Sequence, residues 1–184
     1  MGIIFITGGA KSGKSKFAES LAFKREKRIY LATSVPLDNE MKSRVQKHRK
    51  QRGGDWITIE AYKDLDKVLE KAAENIDVIL LDCLTNMISN IMFEVYDGNW
   101  ESIPDYIPEK IQNTVLAEVN KILDFNKVYM GDIILVSNEV GLGLVPENPL
   151  GRYFRDIAGS MNQIIAAESD EVYMVVSGIP VKIK

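Results

Sequence analysis

Six short runs of apolar and β-branched residues divide the chain, at residues 3–7, 29–33, 56–60, 78–82, 133–137 and 172–177. Several of them, such as Ile3-Ile4-Phe5-Ile6 and Val78-Ile79-Leu80-Leu81, are continuous rather than alternating. Continuous apolar strings of this length mark strands buried on both faces. Between most of the runs, apolar positions recur at helical spacing. Phe17, Ala18, Leu21 and Ala22 form one stripe, inside a helix-compatible stretch at residues 16–27, and Leu65, Val68, Leu69 and Ala72 form a second. Val115, Val119, Ile122 and Leu123 make a third, and Phe154, Ile157, Met161, Ile164 and Ile165 a fourth. Strands alternating with helices predict an α/β fold, a mostly parallel sheet flanked by helices. The last run departs from this pattern: Gly178-Ile179-Pro180 separates it from residues 181–183, which predicts an antiparallel C-terminal hairpin. No repeat or linker composition interrupts the chain, so residues 1–184 are expected to form one domain. The polar and aromatic segment at residues 96–108 reads as a surface excursion, mobile or held at a subunit contact.

Candidate chemistry begins directly after the first run. Gly8-Gly9-Ala10-Lys11-Ser12-Gly13-Lys14-Ser15 fits G-x-x-x-x-G-K-[ST], between a predicted strand and a predicted helix. Glycines let the backbone wrap around phosphates, so that N–H groups and the helix N-terminus point at negative charge. Lys14 is placed to reach the β- and γ-phosphates, and the Ser15 hydroxyl to join the shell of Mg²⁺. The expected fold is therefore a P-loop NTPase. Asp82 closes the fourth run, where an acid in such proteins holds Mg²⁺ directly or through water. Many strands also end in aspartate simply because a turn follows.

Composition adds one anomaly. The chain carries a net charge of −3, with 46% apolar and 27% charged residues, ordinary for a globular protein. An acidic balance argues against a nucleic-acid partner, which calls for a basic excess. Yet seven of the eleven residues from 42 to 52 are Lys, Arg or His. Asp38 and Asn39 can cap a helix there, Met41 and Val45 give it an apolar stripe, and Arg44, His48 and Arg52 share a face. A solvated charged face is one reading. The other turns on His48, the only histidine of the chain. Flanking cations lower an imidazole below its usual pKa of about 6.5, leaving a neutral nucleophile among groups that stabilise a triphosphate under attack. The single cysteine, Cys83, excludes an internal disulfide, suits a reducing compartment and is expected in the core at a strand end. No stretch approaches a membrane span, the first residues lack a signal-peptide layout, and Ile6 stands where myristoylation requires Ser or Thr. A cytoplasmic location is expected.

Taken together, these motifs resemble the bifunctional adenosylcobinamide kinase/adenosylcobinamide-phosphate guanylyltransferase family. GGAKSGKS at residues 8–15, LATS at 31–34, RVQKHRKQR at 44–52 and LLDCLTNMISN at 80–90 carry the resemblance. SNEVGLGLVPENPLGRYFRDIAGSMNQ at 137–163 and DEVYMVVSGIPVKIK at 170–184 extend it over nearly the whole chain. The resemblance implies a recombinase-like fold, a homotrimer and two reactions. ATP or GTP phosphorylates adenosylcobinamide; GMP is then transferred from GTP to that phosphate, releasing pyrophosphate. It makes His48 the residue that carries GMP covalently. The implied nucleotide site comprises Gly8, Gly9, Ala10, Lys11, Ser12, Gly13, Lys14, Ser15, Thr33, Ser34, Val35, Arg49, Lys50, Gln51, Arg52, Glu60 and Asp82, with Mg²⁺ on Ser15 and Asp82. A carboxylate at Glu60 can accept from the guanine N1–H and 2-amino group, or can simply be an exposed acid at a strand end. Asn138 and Glu139 are expected as polar contacts at the rim, and Arg152 and Arg155 as phosphate partners, unless this block forms a subunit interface.

Overall fold

The structure, a computed structural model, describes residues 2–34 and 56–184. Seven strands form one sheet: β1 (Ile3–Gly8), β2 (Arg28–Ala32), β3 (Trp56–Glu60), β4 (Val78–Asp82), β5 (Asp132–Val136), β6 (Glu171–Val176) and β7 (Ile179–Lys182). Their order is β3-β2-β4-β5-β1-β6-β7, parallel from β3 to β6 and antiparallel at β7. β5 thus lies between β1 and β4, and β2 pairs with β4 on its other side. The continuous apolar runs are buried on two sides, as expected: residues of β2, β4 and β5 alternate between two buried clusters.

Five α-helices accompany the sheet among the described residues: α1 (Lys14–Ala22), α2 (Leu65–Ala72), α3 (Leu84–Val95), α4 (Tyr106–Asn126) and α5 (Pro149–Glu168). The larger cluster joins α2 to α5 to one face, through Ile3, Phe5, Leu31, Leu81 and Leu135 of the sheet. The other face receives α1 alone among the described residues, through fully buried Ala18 and Ala22 against Ile6, Leu80, Ile134 and Val136. Small residues at these positions bring the helix axis close to the strands. Asn148 accepts from Gly151 N at 2.7 Å and Pro149 opens α5, a start in which proline's missing N–H costs nothing.

The structure corrects two expectations, the end of α1 and the hairpin turn, and adds one helix. α1 ends at Ala22 rather than near residue 27. α3 was not anticipated, although Leu84, Met87, Ile88, Ile91 and Met92 form a buried stripe at helical spacing opposite exposed Asn86 and Glu94. The hairpin turn is Ser177-Gly178, with φ of 50° and 86°, so Ile179 and Pro180 lie within β7. Positive φ at both central residues is what a two-residue turn between twisted strands requires, and an edge strand tolerates the proline. Segment 96–108 is a surface excursion, as expected, with most of its residues exposed and Trp100 as its packing anchor. Trp100, in a 3₁₀ turn, meets Phe93, Tyr96 and Tyr153 at centroid distances of 6.1, 5.2 and 6.5 Å, and α4 already begins at Tyr106.

The close seat of α1 makes Ala18→Leu a direct test. Added methylenes have no space to enter, so unfolding by urea should show a loss of about 1–3 kcal/mol. Nucleotide titration should weaken in parallel, since the helix carries the glycine loop. An unchanged urea midpoint would show that α1 has room to spare.

Candidate active site

The glycine loop runs from the end of β1 into the first turn of α1. Gly8 has a φ of 157°, and a Cβ there would lie 2.5 Å from the Val175 carbonyl and 2.7 Å from Ser12 Oγ. Gly13, the N-cap of α1, has a φ of 96°, and its Cβ would come within 3.2 Å of Gly178 Cα. Neither position accepts a side chain without displacing backbone. Lys11 is also left-handed, with a φ of 56°. Alternation of this kind makes anion-binding concavities out of backbone N–H groups.

Hydrogen bonds fix the loop from three sides. Ser12 N donates to Gly9 O at 3.2 Å, Gly178 N to Ser12 O at 2.7 Å, and Glu139 N to Gly8 O at 2.9 Å. Lys14 folds inward and donates from Nζ to Gly9 O at 3.0 Å. Two buried hydroxyls, Thr7 Oγ1 and Ser12 Oγ, have no hydrogen-bond partner among the described residues. Such a group costs about 1–3 kcal/mol, a cost that a phosphate oxygen at the loop can remove.

Lys14 and Ser15 open α1, and α1 packs across β4 and β5. That brings the Lys14 ammonium into the electrostatic range of Cys83 and Asp82. Burial pushes the amine below its ordinary value, while the two neighbours oppose the change. Burial also pushes the Cys83 thiol up. The Asp82 carboxylate accepts the Tyr30 phenol on Oδ2 at 2.8 Å. Cys83 lies in the core at the strand end, as expected.

Thr33 and Ser34 follow β2. Ser34, Glu60, Tyr62, Lys63 and Glu94 line a cavity of about 520 Å³ together with Thr33. Glu94 there accepts from Lys63 Nζ at 2.6 Å and Tyr62 Oη at 3.2 Å, whereas Glu60 has no partner among the described residues. Thr33 has no polar group to spare for a ligand. Its hydroxyl donates to Cys83 O at 2.6 Å and accepts from Cys83 N at 3.0 Å. Its N–H donates to Asp82 O at 3.3 Å, and its carbonyl accepts from Asn90 Nδ2 at 2.7 Å. The residue joins the end of β2 to the end of β4 while lining the cavity beside Ser34 and Glu60.

Past β5, Ser137 Oγ donates to Asn162 Oδ1 at 2.7 Å and Asn138 Nδ2 to Thr85 Oγ1 at 2.7 Å. Asn138 and Glu139 do lie at the C-terminal rim, Glu139 touching the glycine loop through its backbone. The two arginines each have a protein partner near by in sequence. Arg152 Nη1 donates to the Pro146 and Glu147 carbonyls, shaping its own loop, and Arg155 lies 3.3 Å from Asp156 Oδ1. Val35, His48, Arg49, Lys50, Gln51 and Arg52 fall outside the described residues. Sequence reasoning does not reach Tyr30, Thr85 or Asn90. A tyrosine inside an apolar run reads as core, and neither the threonine nor the asparagine announces a polar task from its neighbours in the chain.

A glycine loop between the first strand and first helix, with an acid two strands away at the same sheet edge, defines a phosphate-loop nucleotide-binding protein. Solved structures agree on the fold. An ATPase from a bacterial type III secretion system superposes with a TM-score of 0.58 at 10% identity, over 98% of this chain and 56% of that one. The RadB recombinase gives 0.50 at 12% identity, over 94% and 73%. Residues 4–183 match the family model described as cobinamide kinase / cobinamide phosphate guanyltransferase, and the chain belongs to that family. The Escherichia coli K12 bifunctional adenosylcobalamin biosynthesis protein CobU is 42% identical over 183 residues, covering 99% of both chains. The Pseudomonas aeruginosa protein CobP, named for the same bifunctional role, is 35% identical over 184 residues, covering 97% of this chain and 95% of its own.

Thr33→Val separates a structural clamp from a ligand contact. The variant leaves Cys83 N without its acceptor in the interior, while Cys83 O keeps the Asn86 and Met87 N–H donors, and it should lower unfolding free energy by about 1–3 kcal/mol in urea. Metal-free nucleotide affinity, measured by titration calorimetry, should stay unchanged. The reverse pattern, full stability with lost affinity, would return Thr33 to the nucleotide site.

Proposed function

We propose that residues 1–184 act as one nucleotide-binding and transferase domain with two activities in adenosylcobalamin biosynthesis. The first phosphorylates adenosylcobinamide with ATP or GTP. The second transfers GMP from GTP, through a guanylylated His48, to give adenosylcobinamide-GDP and pyrophosphate. The observation that carries this reading is the buried Lys14 held inside a glycine loop beside Asp82, in a chain matched from end to end by the family model.

In the kinase step the substrate hydroxyl oxygen attacks the γ-phosphorus. The bond from that phosphorus to the bridging oxygen breaks, the nucleoside diphosphate leaves, and the hydroxyl proton passes to solvent. Lys14 and the loop N–H groups offset charge on the phosphate oxygens, and such transfer rests mainly on positioning and neutralisation. In the second reaction an imidazole nitrogen of His48 attacks the α-phosphorus of GTP, and pyrophosphate departs. An oxygen of the adenosylcobinamide phosphate then attacks the same phosphorus, and the P–N bond breaks to restore the imidazole. Glu60 and Ser34 line the cavity we assign to guanine. Mg²⁺ fits the residues present. Ser15 and Asp82 supply hard oxygen donors, and Asp82 keeps one carboxylate oxygen outside its bond to Tyr30. Among the described residues no three His, Cys, Asp or Glu cluster as an all-protein metal cage, which suits an ion held partly by substrate phosphates. When bound, the ion supplies further neutralisation of phosphate charge.

A homotrimer, a cytoplasmic location and the lack of a nucleic-acid partner belong to the same proposal. The exposed apolar row Ile179, Val181 and Ile183 on the edge hairpin favours self-association. Among the described residues no helix is long and apolar enough to cross a membrane.

His48→Ala should abolish GMP transfer while leaving kinase turnover. Incubation of the unaltered protein with α-labelled GTP should give an acid-labile, base-stable adduct, the behaviour of a phosphoramidate. Mass spectrometry placing GMP on another residue would remove His48 from the mechanism. Lys14→Ala should cost both reactions, because the cation facing the transferred charge is gone; guanylyl transfer at full rate in that variant would place its GTP outside the loop.

A further inference from the structure

Tyr30 lies in the middle of β2, 6% exposed, directly across from Leu80 of β4. One pleat further on, Ala32 faces Asp82. Residues two apart on a strand share a face and are separated by about 6.6 Å, comparable to the reach of a tyrosine side chain. The small Ala32 leaves that path open. The phenol therefore travels up the sheet and meets Asp82 Oδ2 at 2.8 Å. The face in question is the one on which α1 packs, with Lys14 and Ser15 at its start.

The ring is held as well as the hydroxyl. Tyr30 meets Trp56 edge-on, with centroids 5.8 Å apart at 87°, and Trp56 meets Phe23 in the same manner at 5.7 Å. The Arg28 guanidinium lies 4.9 Å from the Phe23 centroid and 5.6 Å from that of Trp56. A phenol fixed in this way restricts the carboxylate it binds. Without it, the Asp82 side chain could turn toward the Lys14 ammonium, already within its electrostatic range. A direct ion pair there would remove both groups from the phosphate site.

We propose that Tyr30 is a positioning residue for the metal–nucleotide complex: its phenol holds Asp82 Oδ2, so that Oδ1 is the oxygen presented to a divalent cation. Outer partners of metal-binding carboxylates are worth roughly 10–100-fold in metal affinity. The inference rests on the reading of Asp82 as a metal-holding residue.

The test uses the full chain with a GTP analogue carrying a methylene bridge between the α- and β-phosphates, which His48 cannot cleave. Mn²⁺ is titrated into this complex and followed by electron paramagnetic resonance, for the unaltered protein, Tyr30→Phe and Asp82→Asn. Phenylalanine keeps the ring against Trp56 and deletes only the donor. The expected result is Mn²⁺ affinity weakened about 10–100-fold in both variants, with metal-free analogue binding retained in Tyr30→Phe. If Asp82→Asn weakens Mn²⁺ and Tyr30→Phe does not, Asp82 keeps its role and the positioning by Tyr30 is overturned. A lowered Tm in Tyr30→Phe with unchanged Mn²⁺ affinity overturns it equally and leaves a purely structural phenol. If Asp82→Asn leaves Mn²⁺ affinity intact, the metal reading of Asp82 itself falls, and the inference falls with it.

Discussion

Every group at the phosphate site takes its place from how closely α1 lies on the sheet. Ala18 and Ala22 are fully buried, and the strands beneath them are β4 and β5. Lys14 and Ser15 are the first two residues of that helix, so its height above the sheet sets their distance from Asp82. The opposite face is filled by leucine, isoleucine and methionine side chains of four helices. The α1 face is filled by alanines at contact with the strands. A larger side chain there would separate the loop from the acid without touching either.

Polar groups complete what packing begins, and β2 is the strand that supplies them. Thr33 closes the backbone of Asp82 and Cys83 against β2, while Tyr30 holds the carboxylate. The acid is fixed twice from one neighbouring strand. That matters for Lys14, whose burial favours the neutral amine. Cys83 and Asp82 oppose that shift, and burial pushes the Cys83 thiol itself up. Phosphates arriving at the loop add negative charge on the other side of the same ammonium. The site therefore favours the lysine cation most when nucleotide is present, which is when the chemistry needs it.

How much of this was legible in the sequence depended on whether a residue's job was local. The glycine loop, β3 and β4 could be read because their signals lie within a few consecutive residues; the apolar stripes of α2, α4 and α5 followed helical spacing and are buried as expected. α3 carries a stripe of the same kind, Leu84, Met87, Ile88, Ile91 and Met92, and was readable by the same spacing though it was not anticipated. The hairpin turn moved by two residues because Gly178-Ile179-Pro180 drew attention to the proline, while the positive φ values belong to Ser177 and Gly178. Thr33 and Tyr30 were beyond a linear reading. Their partners lie about fifty residues away, and only the pairing of β2 with β4 brings them together. At Arg152 the structure adds what a linear reading lacked: Nη1 donates to the Pro146 and Glu147 carbonyls of its own loop.

The two reactions we assign to this chain place different nucleophiles before the same frame: a substrate hydroxyl, an imidazole and a substrate phosphate. Phosphoryl transfer asks little covalent chemistry of the protein beyond placing and neutralising the phosphates. The groups that do so here, the loop, Lys14 and Asp82, lie at the ends of β1 and β4 and at the start of α1, each restrained by hydrogen bonds or burial. His48 belongs to a separate stretch of sequence, between β2 and β3. Separating the holding groups from the attacking groups lets the attacking group change while the phosphates stay gripped. A site whose nucleophile was built into the loop would have to rebuild that grip for each reaction, and a second activity in one domain would come at the expense of the first.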